Sequence, residues 1–454
     1  MNSLAQISSS SKEKITPFWR YFEIAFLLLI LYLPFQIALN PAGNIDLASI
    51  RVFVLLFFLV WFFYTAFFKK ENFSLTFQGF GLVAFLIIGG LSLLLAQEFE
   101  WGWRKFLFLL SIFPLYFLAV GLANKPDYLK KVVGIFIWSA ALAALAGLIQ
   151  FIIQSVFGPE FLANIYSQRL GPLFWGKNFS SLVISDPSWL VNVAGQTHIR
   201  AFGLFPDPHM MAFFMGLSFP IVFAQLLFRR SNNLKLLAIF CLLFVVLLLT
   251  FSRGGYLGFL AAAAIIILVS WRLLERSKKK AVLVSVIFFA IVISIFAQPV
   301  TARFLASFSP DEGSSSGRLA IWQDSWKVFL GHPILGVGLG NYPREADSLI
   351  GYRSSITSHN LYLDIASEIG FFGLAIWLIL VFGSIFQLYK SIKRHKNQES
   401  NNFLLAVKIG LLGSLVYFSV HSFFETPIFN PVILAAFMII LALASLVAKY
   451  GYQH

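Results

Sequence analysis

The chain has 454 residues, of which 59% are hydrophobic and 12% charged, and its formal net charge is +14. That much apolar surface cannot be hidden inside a soluble domain, so the composition excludes a water-soluble globular protein and predicts a polytopic membrane protein. The single cysteine, Cys241, lies inside an apolar run, which excludes a disulfide framework for the loops.

Apolar stretches long enough to cross a hydrocarbon core of roughly 30 Å recur near 18–39, 47–68, 75–96, 106–123, 132–157, 208–228, 235–252, 255–270, 281–298, 361–388, 403–423 and 429–448. Their length and lack of alternation predict about twelve transmembrane helices rather than barrel strands, an all-α polytopic fold. Residues 1–17 form a short tail. The first span is too long for a signal-peptide core and is expected to stay as an anchor. Well over half of the 34 basic residues fall in one set of short connections, which includes Lys69-Lys70, Lys125, Lys130-Lys131, Arg229-Arg230, Lys278-Lys279-Lys280, Lys390, Lys393-Arg394 and Lys449. The opposite short loops hold little beyond Arg51, Arg104-Lys105 and Arg253. The positive-inside rule then places both termini in the cytoplasm. The net charge reads as a topology signal with some attraction to membrane lipids, not as a nucleic-acid surface. No internal repeat is visible.

Two long segments face outward: one near 158–207, within the nine spans of 18–297, and one over 298–358, before the last three spans of 359–448 and the tail 449–454. Long loops in a compact protein usually carry function. In the second, a turn-rich stretch over 309–317 gives way to Leu319, Trp322, Trp326 and Phe329 at helical spacing. This aromatic stripe predicts a short amphipathic helix, lying in the interfacial plane or packed against the spans.

The unusual polar residues all fall on the outward side: Arg200, Asp207, His209, Arg253, Arg318, His332, Arg344, Arg353, His359, His421 and Glu425, with little acid near the arginines. Arg253 ends one apolar run and opens the next through Gly254-Gly255. A permanently charged guanidinium held between two spans is costly and marks a polar cavity. Thr357 or Ser358 is read as the N-cap of the tenth span, which puts His359 in its first turn as a neutral imidazole able to take a proton. A plainer role, an interfacial His bonded to a loop carbonyl, stays open. Asp207 and His209 have metal-ligating side chains, but no further donors stand at a recognisable spacing, so no metal is expected. The glycine-rich stretch 331–342 reads as a tight turn rather than a nucleotide loop. Asp364 and Glu368 share one helix face and are expected to pair with an arginine or face water. Guanidinium forks gathered beside an apolar groove suit a phosphate or pyrophosphate on a lipid.

Taken in order, five motifs resemble the O-antigen ligase/polymerase superfamily: Arg200-Ala201-Phe202-Gly203-Leu204-Phe205-Pro206-Asp207-Pro208; Thr250-Phe251-Ser252-Arg253-Gly254-Gly255; Gly317-Arg318-Leu319-Ala320-Ile321-Trp322; Gly331-His332-Pro333; and Ser358-His359-Asn360-Leu361-Tyr362-Leu363. The resemblance implies a GT-C-like glycosyltransferase of the bacterial inner membrane that works without metal or other cofactor. It implies transfer of a glycan from undecaprenyl pyrophosphate to an acceptor hydroxyl at the periplasmic face. Carried over by motif, the catalytic His359 would orient or deprotonate the acceptor hydroxyl, Arg200, Arg253 and Arg318 would bind the pyrophosphate, and Asp207, His332 and Asn360 would be candidates for support, with His209 beside them in a role left open. The acceptor would be a glycolipid or glycan, lipid A core among them. A ligase and a polymerase share these motifs, and the long outer loop favours a ligase. A transporter or flippase of lipid-linked anions is the alternative from another class, against which the clustering of charge at one interface and the lack of a repeat both count.

Overall fold

The computed structural model describes residues 17–42, 45–69, 75–184, 187–193, 195–229, 233–280, 282–283, 313–347, 349, 351, 357–395 and 402–449. Among these, ten helices are long and apolar enough to cross a membrane, and Leu234–Leu249 is a shorter apolar helix beside them. The fold is that of an all-α polytopic membrane protein. The span expected at 281–298 falls, but for two residues, outside the described residues.

In chain order the principal helices are α1 (Pro17–Tyr32), α2 (Ser49–Tyr64), α3 (Phe77–Ser92), α4 (Phe99–Ile112), α5 (Pro114–Leu122), α6 (Pro126–Phe157), α7 (Pro208–Phe228), α8 (Leu234–Leu249), α9 (Arg253–Ser270), α10 (Gly313–Gly331), α11 (Leu361–His395), α12 (Asn402–His421) and α13 (Pro431–Lys449). α4 and α5 form one span whose hydrogen-bond ladder is interrupted at Pro114, which has no N–H to donate. Two antiparallel hairpins, β1 (Ala38–Ala42) with β2 (Ile45–Ala48) and β3 (Leu190–Val193) with β4 (Gln196–Ile199), lie at the same end of the bundle. The segment over 158–207 also contains the short helices Pro159–Ile165 and Lys177–Ile184.

α13 is the axis of the bundle, buried along nearly its whole length. Around it, α7 and α12 approach unusually closely because small residues face bulky ones. A Cβ on Gly216 would lie 1.8 Å from the Tyr417 ring, and one on Gly410 would lie 2.6 Å from Ile221 Cα. Tyr417 Oη donates to Ala212 O at 2.7 Å, and Ser414 Oγ donates to Leu217 O at 2.7 Å. In lipid, where apolar burial does not discriminate protein from solvent, such close contact and interhelical hydrogen bonds hold helices together.

α11 is interrupted at Gly370 (φ 74°, ψ −166°). The glycine-rich turn after α10 inserts there: Val337 N–H donates to Ser367 O (2.9 Å) and Phe371 N–H to Pro333 O (2.8 Å), so the groups freed by the break are re-satisfied. Gly336 and Gly338 take positive φ, and a Cβ on either would fall within 2.7 Å of another backbone. The stretch read as a tight turn is thus a close-approach turn packed against α11 and the end of α3. The helical stripe of α10 divides: Trp322 Nε1–H donates to Ser358 O (3.1 Å), whereas Leu319 and Trp326 are exposed.

Candidate functional site

The motif that begins at Arg200 leaves β4 as a loop held by two glutamines one turn apart on α6. Gln150 Nε2 donates to Arg200 O (2.9 Å) and its Oε1 accepts from Phe202 N and Gly203 N. Gln154 bonds both backbone groups of Ile199 in the same way. The Arg200 side chain is buried; its Nε donates to Thr250 O (2.7 Å) and its Nη1 to Ser188 O (2.8 Å). The guanidinium therefore ties the β3–β4 hairpin to the turn between α8 and α9. Two of its three nitrogens are thus taken by backbone carbonyls.

Asp207 is the N-cap of α7, with Oδ1 accepting from His209 N (2.7 Å) and Met210 N (3.0 Å). Burial and the neighbouring Glu425 charge push its carboxyl up to about 7, against the two cap hydrogen bonds. On the next turn, His209 Nδ1 lies 3.0 Å from Ser252 Oγ, and His421 Nε2 lies 3.2 Å from the same oxygen. Ser252 Oγ also accepts from Gly255 N, capping α9. The hydroxyl carries one hydrogen, so Ser252 donates to at most one of the two rings, and any other ring contact is a ring N–H donating to its oxygen. The His421 ring stacks on Phe213 at 3.7 Å.

Arg253 is the first residue of α9, directly after Ser252 and half-buried. The preceding Phe251 has φ 48°, a left-handed conformation that makes the α8–α9 turn tight. A Cβ on Gly254 would lie 2.7 Å from His421 Cδ2 and 2.8 Å from Phe424 Cβ, so this residue lets α9 start against the end of α12.

His359 is not in the first turn of α11. Asn360 is the cap, its Oδ1 accepting from Tyr362 N (3.0 Å) and Leu363 N (3.2 Å), and His359 precedes it with φ 48°. The expectation of Thr357 or Ser358 as cap is corrected on that geometry. Ser358 Oγ instead donates to Asn360 O, and Ser358 N donates to Asp364 Oδ1 at 3.0 Å. The left-handed residue turns the imidazole toward the loop after α12, where its Nδ1 meets Glu425 Oε1 at 3.0 Å and Oε2 at 3.3 Å. The Glu425 charge and hydrogen bond raise the His359 pKa above its ordinary value, with burial opposing. Against burial, the His359 imidazole, His209 and Arg318 hold the Glu425 carboxyl well below the usual range. The helix end that was expected to keep His359 neutral is outweighed by this carboxylate.

Arg318, in the first turns of α10 and half-buried, acts electrostatically on His209, His359, His421 and Glu425. The structure thus gathers Asp207, His209, Ser252, Arg253, Arg318, His359, Asn360, His421 and Glu425 at one end of the bundle, with Arg200 beneath them. His332 is exposed, its backbone N–H closing α10 on Val328 O and Phe329 O. Among the described residues no three His, Cys, Asp or Glu side chains form a metal-ligand group.

Acid is present where the sequence showed little. Glu425 completes the pair with His359, and Asp364 accepts from Ser358 N and from Thr426 Oγ1. Glu368 pairs with Lys105 (2.7 Å), not with an arginine. Gln150 and Gln154 were overlooked; two amides four residues apart inside an apolar helix were the signal. A cavity of about 680 Å³ opens beside this cluster, lined by Arg51, Trp101, Lys105, Trp175, Thr357 and Asp364 among others. Arg200, Arg253, Arg318 and His359 do not line it.

Residues 237–378 match the family model described as O-antigen ligase. That segment carries Arg253, Arg318 and His359 and stops short of Glu425. A provisionally named polysaccharide ligase of Rickettsia typhi is 27% identical over 191 residues, 40% of this chain and 45% of that protein. Its counterpart in Rickettsia prowazekii matches to the same extent. The ComP-specific O-oligosaccharyltransferase of Acinetobacter baylyi is 30% identical over 216 residues, 44% of this chain and 36% of that protein. In each comparison the match spans less than half of the relative. These matches bear out the resemblance to the O-antigen ligase family.

Proposed function

We propose that the protein is a metal-independent, O-antigen ligase-like glycosyltransferase that moves a glycan from undecaprenyl pyrophosphate to an acceptor hydroxyl at the periplasmic face of the inner membrane. The observation that carries this reading is the His359–Glu425 pair, set within the reach of Arg318 and beside the Arg253 end of α9. Nδ1 is occupied by the carboxylate, which leaves Nε2 for substrate, and an imidazole backed by a carboxylate is a general base whose charged form is stabilised. Family matches over the segment that carries Arg253, Arg318 and His359 support the same chemistry.

The acceptor O–H proton passes to His359 Nε2 as the oxygen attacks the anomeric carbon. The bond from that carbon to the pyrophosphate oxygen breaks, and undecaprenyl pyrophosphate leaves with the electron pair. Arg253 and Arg318 offset the charge developing on the leaving group. Arg200, engaged with carbonyls, shapes the Thr250–Arg253 turn instead of gripping phosphate. The distribution of Lys and Arg supports a reading with this end of the bundle outside and both termini in the cytoplasm. The test is transfer by the purified chain in lipid from an undecaprenyl-pyrophosphate glycan: His359→Ala should abolish transfer and keep donor binding. Transfer that survives in His359→Ala would overturn the assignment, as would transbilayer movement of donor with no transfer, which is the behaviour of a flippase. Joining of two lipid-linked repeats would assign a polymerase.

A further inference from the structure

At the end of the bundle opposite the histidine cluster, α3 begins against α11 and the last turns of α13. Its start is seated by Phe77, whose ring lies so close that a Cβ on Gly383 of α11 would stand 2.4 Å from it. Gln78 is buried and donates through Nε2 to Gln387 Oε1 (3.0 Å), which ties the same two helices. Thr76 caps α3, its Oγ1 accepting from Gly79 N (3.1 Å). The N–H groups of Phe77 and Gln78 are left without an intrahelical partner at the positive end of the helix. A cavity of about 190 Å³ opens there, lined by Thr76, Phe77, Gln78, Gln387, Ser445 and Lys449 among others.

The side chains around it are donors in want of an acceptor. Ser445 is 2% exposed; its Oγ stands near Tyr116 Oη but makes no hydrogen bond there or with any other described residue. A buried hydroxyl left unpaired is costly, and a ligand oxygen in the cavity would relieve it. Gln387 has its Oε1 engaged by Gln78, which leaves its Nε2 to donate. Lys449, the last residue of α13, adds an ammonium, and no carboxylate lines the cavity among the described residues. Ammonium, amide, hydroxyl and the start of a helix together suit a tetrahedral oxyanion. The volume, below the roughly 300 Å³ at which drug-sized sites begin, suits one phosphate group and no larger ligand. Beside the cavity on the same helices, Phe80 of α3 and Phe382 and Phe386 of α11 are exposed, an apolar flank for acyl chains. We propose that the cavity binds a phosphate group, and that this is the headgroup phosphate of a membrane phospholipid whose chains run along α3 and α11. The site is remote from His359 and independent of the transferase reading.

The test is titration of the full chain in detergent with phosphatidylglycerol, followed by native mass spectrometry. Wild type should take up the lipid saturably, and diacylglycerol, which lacks the phosphate, should not displace it. Lys449→Gln should lose about tenfold in affinity, the worth of one charge-assisted hydrogen bond. Gln387→Leu and Ser445→Ala should each lose several-fold; Ser445→Ala removes only a hydroxyl and keeps the packing of α13. Lys393→Gln, which takes a charge from α11 outside the cavity, should bind as wild type does. Displacement of the lipid by inorganic phosphate would keep the phosphate site and assign it to the free ion. Uptake that is equal in wild type, Lys449→Gln and Ser445→Ala overturns the proposal, as does displacement by diacylglycerol or a loss in Lys393→Gln as large as that in Lys449→Gln.

Discussion

The His359 imidazole and the Glu425 carboxylate, 66 residues apart in the chain, meet at 3.0 Å. The contact joins the segment before α11 to the loop between α12 and α13, and a further bond from Leu361 N to Ser422 O (2.9 Å) fixes the same two segments. Two loops are thereby locked around one imidazole. Rigid support of this kind lets a side chain 38% exposed act as a positioned base.

Glu425→Gln should lower transfer on the order of 100-fold, the lower part of what a positioned acid–base group contributes. The pH profile carries the sign. The neutral imidazole is the base, so the rate rises as pH climbs through the raised His359 value. Removing the carboxylate charge lowers that value, so the acid limb should move to lower pH in Glu425→Gln while the plateau falls. The measurement is kcat/KM against pH for both proteins; an unmoved limb would show that Glu425 does not tune His359.

The arginines should separate by experiment. Arg253→Lys keeps a charge but loses the fork, and transfer should drop on the order of 100-fold with folding intact, as for loss of one transition-state donor. Arg200→Ala should act on stability. It strands the buried carbonyl of Thr250, at about 1–3 kcal/mol for a buried acceptor left unpaired, and removes the bond to Ser188 O. Thermal unfolding in detergent should show the loss for Arg200→Ala and little change for Arg253→Lys.

Helix packing makes a prediction free of chemistry. Gly216→Ala would drive a methyl group into the Tyr417 ring, whose hydroxyl is held by Ala212 O. The α7–α12 contact must open, at about 1–3 kcal/mol for overpacking. Gly134→Ala, with open space at its Cβ position, should leave the melting temperature near wild type.

How far the sequence could be read follows from what each feature depends on. The spans were legible because lipid imposes length and apolarity on every one of them, as α6, α7 and α13 show. Arg253 was legible because a lone charge between apolar runs has few innocent explanations. Glu425 was noticed only as a neighbour of the last outer turn, since its partner lies 66 residues away and no spacing announces the pair. The cap was misplaced because Ser358 and Asn360 are both good caps, and only the backbone decides between them. The break at Gly370 depends on the turn at 333–337 inserting into α11, a tertiary event without a local signature.

Asp364 gives the sharpest test of how the His359–Glu425 pair is held. One carboxylate oxygen accepts from Ser358 N, the residue before His359, and the other accepts from Thr426 Oγ1, the residue after Glu425. It touches neither member of the pair and yet fixes both loops, so it is a positioning residue. Asp364→Ala removes both anchors and should cut kcat by at least tenfold, a misplacement effect of the kind that small shifts produce, with donor KM unchanged. Asp364→Asn keeps one oxygen for Ser358 N, and the Thr426 hydroxyl can rotate to accept from the new amide, so much of the activity should return. A merely structural role would lower both variants together through stability. The decisive readout is therefore the pH limb of His359: displaced well toward its ordinary value in Asp364→Ala, where the contact with Glu425 loosens, and displaced much less in Asp364→Asn, which loses only the small contribution of the Asp364 charge. Equal limbs in Asp364→Ala and Asp364→Asn would show that the pair holds itself together without Asp364.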